Sequence, residues 1–310
     1  MMRNAPVQHV SGQKSARSVP RAVESLMRWL TFASALLSVV TTFGIIWVLL
    51  SQSIPFFRAV SPIDFFTGTE WRPTREPVSY GVLPLITGTL IITVGAGIVA
   101  IPLGLLSAIF LSEYASVRVR SILKPLLELL AGIPTVVYGY FGLFFVTPLL
   151  KPLLPGIQSS NALAGAIVVG IMILPLVSSL CEDALAAVPR PLRDAAYALG
   201  ATKAEVTTRT TVPAALSGIM AAFILALSRA LGETMAVALA AGSTPQLTFN
   251  PTQSVQTMTA YIVSTSKGDA PAGTMKSYSL FAVGVTLFAF TLFLNVIAAR
   301  LVRKFRQVYA

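Results

Sequence analysis

The chain has 310 residues, of which 55% are hydrophobic and only 11% are charged. A soluble domain averages roughly 25% charged residues, and a soluble surface built from this composition would expose large apolar patches. The composition therefore excludes an ordinary soluble domain and favours a membrane protein. The net charge of +11 comes from basic residues at the ends of apolar runs, which indicates membrane topology rather than nucleic-acid binding.

Six apolar runs follow one another along the chain, at about residues 26–50, 83–111, 122–150, 162–181, 214–240 and 279–301. Each is near or above the roughly 20 residues with which a helix crosses a bilayer. The first run is too long for the core of a signal peptide. Because backbone in lipid must satisfy its own hydrogen bonds, we expect helices. The sequence therefore predicts an all-α polytopic membrane protein with six transmembrane helices.

The rest of the chain divides around these runs. Residues 1–24 form a basic tail, residues 25–305 a single transmembrane domain with a loop at 182–213, and residues 306–310 a short end. Sixteen Lys and Arg residues lie on the side of the two termini, five in the tail, three in the second loop, four in the fourth loop and four at the C-terminal end, against six on the other side. This bias predicts that both termini are cytoplasmic.

Two charged residues interrupt the middle of the fifth run. Arg229 and Glu233 are spaced i, i+4, so that on a continuous helix they would share a face and could pair. One interpretation is an internal salt bridge that fixes the rotation of the helix. The other is a charged element that lines a translocation path, with the arginine offering a planar fork to an oxyanion. Glu128, about one turn inside the third run, is either a second point on this path or an interfacial residue.

Small residues recur every fourth position in several runs. In the second run these are Ala96, Ala100, Gly104 and Ala108. Such a ladder lets two helix backbones approach closely in lipid. Pro102, Pro134 and Pro175 lie inside runs and predict kinks that face protein.

The loop at 182–213 contains signals for two short helices. Pro191 suits the first turn of a helix, and Gly200 ends that helix. Thr202 and Glu205 have the spacing of a capping box, which begins another. The segment is therefore either an amphipathic element on the membrane surface or a docking elbow for a cytoplasmic partner.

The same segment resembles a known family. The stretch Asp194-Ala195-Ala196, with Gly200 and Pro213 at the matching distances, is similar to the coupling loop of permease subunits of ATP-binding-cassette importers. Asp194 stands where that pattern has glutamate, and Thr210 where it has isoleucine. The resemblance implies the type I importer permease architecture and implies that this loop docks on a separate ATPase subunit.

Two further stretches, residues 130–139 and 228–234, are similar to the phosphate-importer branch of that family, and more to PstC-type than to PstA-type subunits. This resemblance implies inward transport of inorganic phosphate across a bacterial inner membrane by alternating access. It implies as partners a PstA-like permease, two PstB-like ATP-binding subunits and a PstS-like extracytoplasmic binding protein. It also implies that Arg229 and Glu233 lie on the phosphate path.

The sequence offers no catalytic machinery, so we expect a transport subunit rather than an enzyme, with no cofactor and no metal site. The phosphate-binding pattern Gly-x-x-x-x-Gly-Lys-Ser/Thr is absent, and a single histidine, His9, cannot supply a zinc-protease motif. The alternatives are a permease for another oxyanion such as sulfate or molybdate, a self-contained channel or secondary carrier, and a membrane scaffold or sensor that transports nothing.

Overall fold

The computed structural model describes residues 21–268, 270–271 and 273–305. Most of the predicted tail and the predicted end at 306–310 lie outside these residues. The chain divides into two compact units, residues 1–48 and residues 49–310. In the first unit, the described residues from Arg21 onward form one helix whose apolar side chains are exposed.

The described elements are helical except for one small hairpin. In chain order they are α1 Arg21–Ala59, α2 Pro62–Thr67, β1 Trp71–Arg72, β2 Ser79–Tyr80, α3 Leu83–Ile109, α4 Val117–Gly132, α5 Thr135–Phe141, α6 Thr147–Leu150, α7 Ala162–Ala186, α8 Arg190–Ala198, α9 Lys203–Val206, α10 Val212–Ala214, α11 Leu216–Leu231, α12 Met235–Ala240, α13 Met258–Lys267 and α14 Met275–Phe305. Turns of π-helix follow α3, α5 and α9 at Phe110–Tyr114, Gly142–Val146 and Thr207–Thr211. Strands β1 and β2 pair antiparallel.

Four helices in the described part of the chain are long and apolar enough to cross a membrane, and six spans result if each of two bent helix pairs counts as one. The four are α1, α3 with its π-helical turn, α7 and α14. The all-α, six-span architecture predicted from the sequence is therefore confirmed when the bent pairs are counted.

The third and fifth spans are both bent. The kink that Pro134 predicted in the third span is present, whereas the sequence predicted a continuous helix in the fifth. The third bends by 90° between α4 and α5, because Pro134 precedes α5 and cannot continue the backbone hydrogen bonding of α4. The fifth bends by 69° at Ala215, and its helix ends at Leu231, well before residue 240. Irregular backbone at membrane depth is tolerated where protein or a water-filled cavity surrounds it.

The core of the second unit lies where α3 packs along α7. The predicted ladder on α3 is confirmed as a packing face, because Ala96, Ala100, Gly104 and Ala108 are all buried. A Cβ atom at Gly104 would lie 2.6 Å from Cγ1 of Val177 on α7. The two helices therefore approach to a distance that only a glycine permits at this position.

We expect Gly104→Ala to lower the free energy of unfolding by about 1–3 kcal/mol. The added methyl group would overlap the side chain of Val177 and push the backbone of α3 away from α7. Gly132→Ala is the matched control, since a Cβ atom at Gly132 would meet nothing within 4 Å. The measurement is denaturant unfolding of the purified protein in detergent. Equal stability of the two variants would contradict the close α3–α7 contact.

Candidate functional site

A polar cavity of about 440 Å³ lies among α4, α7 and α11. Its lining residues are Lys124, Leu127, Glu128, Ala131, Met172, Pro175, Leu176, Ser178, Ser179, Glu182 and Arg229. We call it the inner cavity. It brings together Arg229 and Glu128, two of the three residues that the sequence predicted for a path, although α4 and α11 are far apart along the chain. The third predicted residue, Glu233, is not part of the lining.

Arg229 and Glu233 do not form the salt bridge that one interpretation predicted. Helix α11 ends two residues after Arg229 and α12 begins only at Met235, so the i, i+4 spacing does not place both side chains on one helical face. Among the described residues, no ion pair within 4.0 Å includes either of them. The prediction of an internal pair is wrong because it assumed an unbroken fifth helix.

Glu233 instead forms hydrogen bonds at the break between α11 and α12 in the fifth span. Its Oε1 accepts a hydrogen bond of 3.3 Å from the backbone N–H of Ala236, in the first turn of α12. Its own carbonyl oxygen accepts a hydrogen bond of 2.8 Å from the hydroxyl of Thr259. A carboxylate at the N-terminus of a helix is stabilised by the helix dipole. Glu233 therefore stabilises the first turn of α12. Arg229, by contrast, is exposed and lines the inner cavity.

Sequence reasoning missed a buried carboxylate in this cavity. Glu182 is 1% exposed and forms ion pairs with Arg120 and, at 3.3 Å, with Lys124, both on α4. The sequence placed Glu182 in the loop because the apolar run stops at residue 181, whereas α7 continues to Ala186. One feature of the sequence could have indicated this contact. Glu182 directly follows the apolar run 162–181, and Arg120 and Lys124 lie at the start of the run 122–150, on the same predicted side of the membrane.

The predicted elbow has the local structure that its sequence indicated. Pro191 lies in the first turn of α8, and Thr202 and Glu205 form a capping box at the start of α9. Gly200 joins the two helices with a φ of +84°, a conformation that glycine adopts most readily. The N–H groups of Gly200 and Ala201 donate to the carbonyls of Tyr197 and Ala196, at 2.9 and 3.3 Å. This is the pair of bonds that ends a helix in a Schellman motif.

The elbow is fastened to the end of the second span. Arg193 lies 3.2 Å from the carboxylate of Glu113 in the π-helical turn after α3, and it also donates a 2.6 Å hydrogen bond to the carbonyl of Leu185 on α7. The ammonium of Lys203 lies 5.0 Å from the ring centroid of Tyr114. The elbow is therefore in direct contact with the end of the second span and with α7.

The opposite side of the elbow faces away from the protein. Asp194, Ala195 and Gly200 are exposed there, and Leu199 at the tip is 90% exposed. Ala196 is half-buried, and Pro213 is exposed.

Comparisons with known proteins agree with this architecture. A family described as "Binding-protein-dependent transport system inner membrane component" matches residues 100–307. The probable ABC transporter permease protein YqgH of Bacillus subtilis is 35% identical over 283 residues, which are 91% of each chain. The phosphate transport system permease protein PstC of Mesorhizobium japonicum is 35% identical and covers 86% of each chain. The PstC of Haemophilus influenzae is 31% identical and covers 92% of this chain and 95% of its own.

Two solved structures share the fold. An inward-facing MetNI methionine ABC transporter covers 73% of this chain and 95% of its own, with a TM-score of 0.56 and 16% identity. A bacterial alginate ABC transporter covers 94% of this chain and 100% of its own, with a TM-score of 0.62 and 16% identity. At this identity the likeness concerns the fold alone, and it confirms the predicted importer-permease architecture.

Proposed function

Because the chain belongs to the binding-protein-dependent transport system inner membrane component family and is a permease subunit of an ABC importer, we propose that its substrate is inorganic phosphate, moved into the cytoplasm. The two PstC proteins named above support this substrate, since they are 35% and 31% identical over most of the chain. The proposal places both termini in the cytoplasm, in accord with the distribution of Lys and Arg.

The observation that carries the proposal is the exposed Arg229 at the inner cavity. A guanidinium presents several N–H donors in a plane, and two of them match two oxygens of a phosphate. Glu182 pairs with both Arg120 and Lys124, and one carboxylate against two cations leaves one positive charge uncompensated. The charges available to a ligand are therefore this excess positive charge, with Lys124 in the lining, together with Arg229 and Glu128. The carboxylate of Glu128 weakens the hold on an anion, and a transport site must bind its substrate weakly enough to release it.

The elbow and the broken spans provide the mechanism of coupling. Closure of a PstB-like ATPase pair on the elbow moves α3 and α7 through Arg193 and Lys203. The breaks at Pro134 and at Gly232 let the helices on either side turn against each other. The site is thereby exposed alternately to a PstS-like binding protein outside and to the cytoplasm, with a PstA-like second permease completing the path.

Replacing Arg229 tests the substrate and the site together. We expect Arg229→Gln to lower the uptake of labelled phosphate by about tenfold or more, because a hydrogen-bonded charge contact contributes about 1.5–3 kcal/mol. Arg229→Lys retains the charge but not the fork, so its loss should be smaller.

The matched control is Arg118→Gln, because Arg118 is an exposed arginine on α4 that does not line the cavity. Uptake is measured in cells that express the complete transporter at equal levels. Normal phosphate uptake by Arg229→Gln would show that Arg229 does not handle the anion. Uptake of labelled sulfate or molybdate by the wild-type transporter, without uptake of labelled phosphate, would instead favour the alternative oxyanion.

A further inference from the structure

A second polar cavity lies at the opposite end of the helices from the inner cavity. It has a volume of about 560 Å³ and lies between the β1–β2 hairpin, the segment after α12, α13 and the start of α14. Its lining residues are Trp71, Arg72, Pro73, Thr74, Arg75, Ser243, Thr244, Pro245, Gln256, Tyr261, Ser264, Thr265 and Lys276. We call it the outer pocket. No residue lines both cavities.

The charged residues that line the outer pocket are all cations. They are Arg72, Arg75 and Lys276, and no Asp or Glu is among the lining residues that the structure describes. Arg72 is partly engaged, since its guanidinium lies 3.2 Å from Glu70 outside the lining. Arg75 forms no ion pair with any described residue. A concave surface with charge of one sign focuses its field and concentrates the opposite ion.

Some hydrogen-bonding groups of the residues that line the pocket have no partner among the described residues. The indole N–H of Trp71 is buried and has no acceptor in the described structure. A buried donor left unpaired is unfavourable and is usually matched by a water or a ligand. The Tyr261 hydroxyl is already engaged, since it shares a 2.7 Å hydrogen bond with Ser279, and burial raises its pKa, so that it adds no negative charge. Ser243 and Thr244 add two hydroxyl groups to the lining.

We infer that the outer pocket is a binding site for a small tetrahedral oxyanion, which it collects on the extracytoplasmic side before the anion enters the path. The lining provides cations and donors and lacks carboxylates, which is the composition that recognises an oxyanion and repels a metal cation. The inference rests on the proposed function for its orientation and for phosphate as the ligand. It adds a site separate from the inner cavity.

The test is chemical protection of Arg75 in the complete transporter, reconstituted in lipid nanodiscs without the binding protein. Phenylglyoxal modifies exposed arginines, and mass spectrometry of the digested protein gives the modification rate at each of them. Inorganic phosphate is expected to slow the modification of Arg75 in a saturable manner, compared with chloride at equal ionic strength. Arg58 is the control, because it is exposed on the same predicted side but does not line the pocket. Equal rates at Arg75 with phosphate and with chloride would overturn the inference.

Equilibrium binding of labelled phosphate to the same sample separates the two sites. In an Arg229→Gln background, which removes the inner arginine, phosphate binding should persist. Adding Arg75→Glu should then weaken that binding by about tenfold or more, because it replaces an attractive charge by a repulsive one, whereas Arg58→Glu should not. Unchanged binding with Arg75→Glu would overturn the inference.

The two proposals fail in different ways. If Arg229→Gln takes up phosphate normally, the proposed role of the inner cavity fails, and protection of Arg75 is unaffected because that measurement requires no transport. If Arg75 is protected by the binding protein but not by phosphate, the pocket is a docking surface for a protein, and the inference of an oxyanion site is wrong.

Discussion

The double variant Arg120→Gln/Lys124→Gln is expected to lower the free energy of unfolding by about 3–5 kcal/mol, which is the cost of leaving a buried carboxylate without a partner. Glu182 is 1% exposed, and these two cations on α4 are its ion-pair partners in the described structure. With both removed, the carboxylate either stays charged in a poorly solvated site or takes up a proton. Either outcome is unfavourable relative to the paired state.

Adding Glu182→Gln to the double variant distinguishes the loss of the ion pairs from a general destabilisation by the substitutions themselves. In the triple variant no buried charge remains, so we expect most of the lost stability to return, as happens when both partners of a buried pair are removed. Glu182→Gln alone should cost less than the double variant, because the side chains of Arg120 and Lys124 are 44% and 35% exposed and can turn to water.

The measurement is unfolding of the purified transporter subunit in detergent, with Arg118→Gln as a control for the loss of an unpaired arginine from the same helix. A triple variant as unstable as the double would contradict the account, because the loss would then not depend on the charge of Glu182. The result bears on function as well as on stability, since these ion pairs fasten α4 to α7 on two sides of the inner cavity.

Local signals in the sequence predicted the parts of the fold that depend on neighbouring residues. The capping box at Thr202 and Glu205 and the turn at Gly200 follow from the preferences of single side chains for particular backbone positions. The ladder on α3 follows from a spacing of four residues, which any helix places on one face. For these features the sequence period and the structure coincide.

The features that the sequence did not predict depend on contacts between distant segments. Hydropathy cannot distinguish a continuous span from a broken one, because residues on both sides of the break at Gly232 are apolar. The capping role of Glu233 became visible only with that break. Glu182 meets Arg120 and Lys124 only after α4 and α7 have packed. In each case the tertiary arrangement, rather than local preference, decides the outcome.

Reversing the charge of Arg193 is expected to uncouple ATP hydrolysis from transport. In Arg193→Glu we expect phosphate uptake per ATP hydrolysed to fall by about tenfold, since loss of a charge-assisted contact of about 1.5–3 kcal/mol frees the elbow from the second span. The ion pair with Glu113 lies 3.2 Å apart, and the two side chains are only 20% and 6% exposed. Its attraction is therefore screened little by water.

The reciprocal exchange provides the decisive control. Adding Glu113→Arg to Arg193→Glu restores opposite charges at the same two positions, so coupling should recover at least in part, whereas Glu113→Arg alone should uncouple. Arg209→Gln removes the exposed pair with Glu205, which spans 3.9 Å, and should have little effect because surface ion pairs contribute roughly 0–1 kcal/mol.

ATP hydrolysis and phosphate uptake are measured together in proteoliposomes that contain the complete transporter. The ATPase subunits should copurify with every variant, because Arg193 faces the transmembrane helices while the exposed side of α8 is left for docking. Loss of copurification in Arg193→Glu would show that the arginine supports docking instead. Full coupling in Arg193→Glu would show that the force reaches α3 by another contact, for which Lys203 beside Tyr114 is the remaining candidate in the described structure.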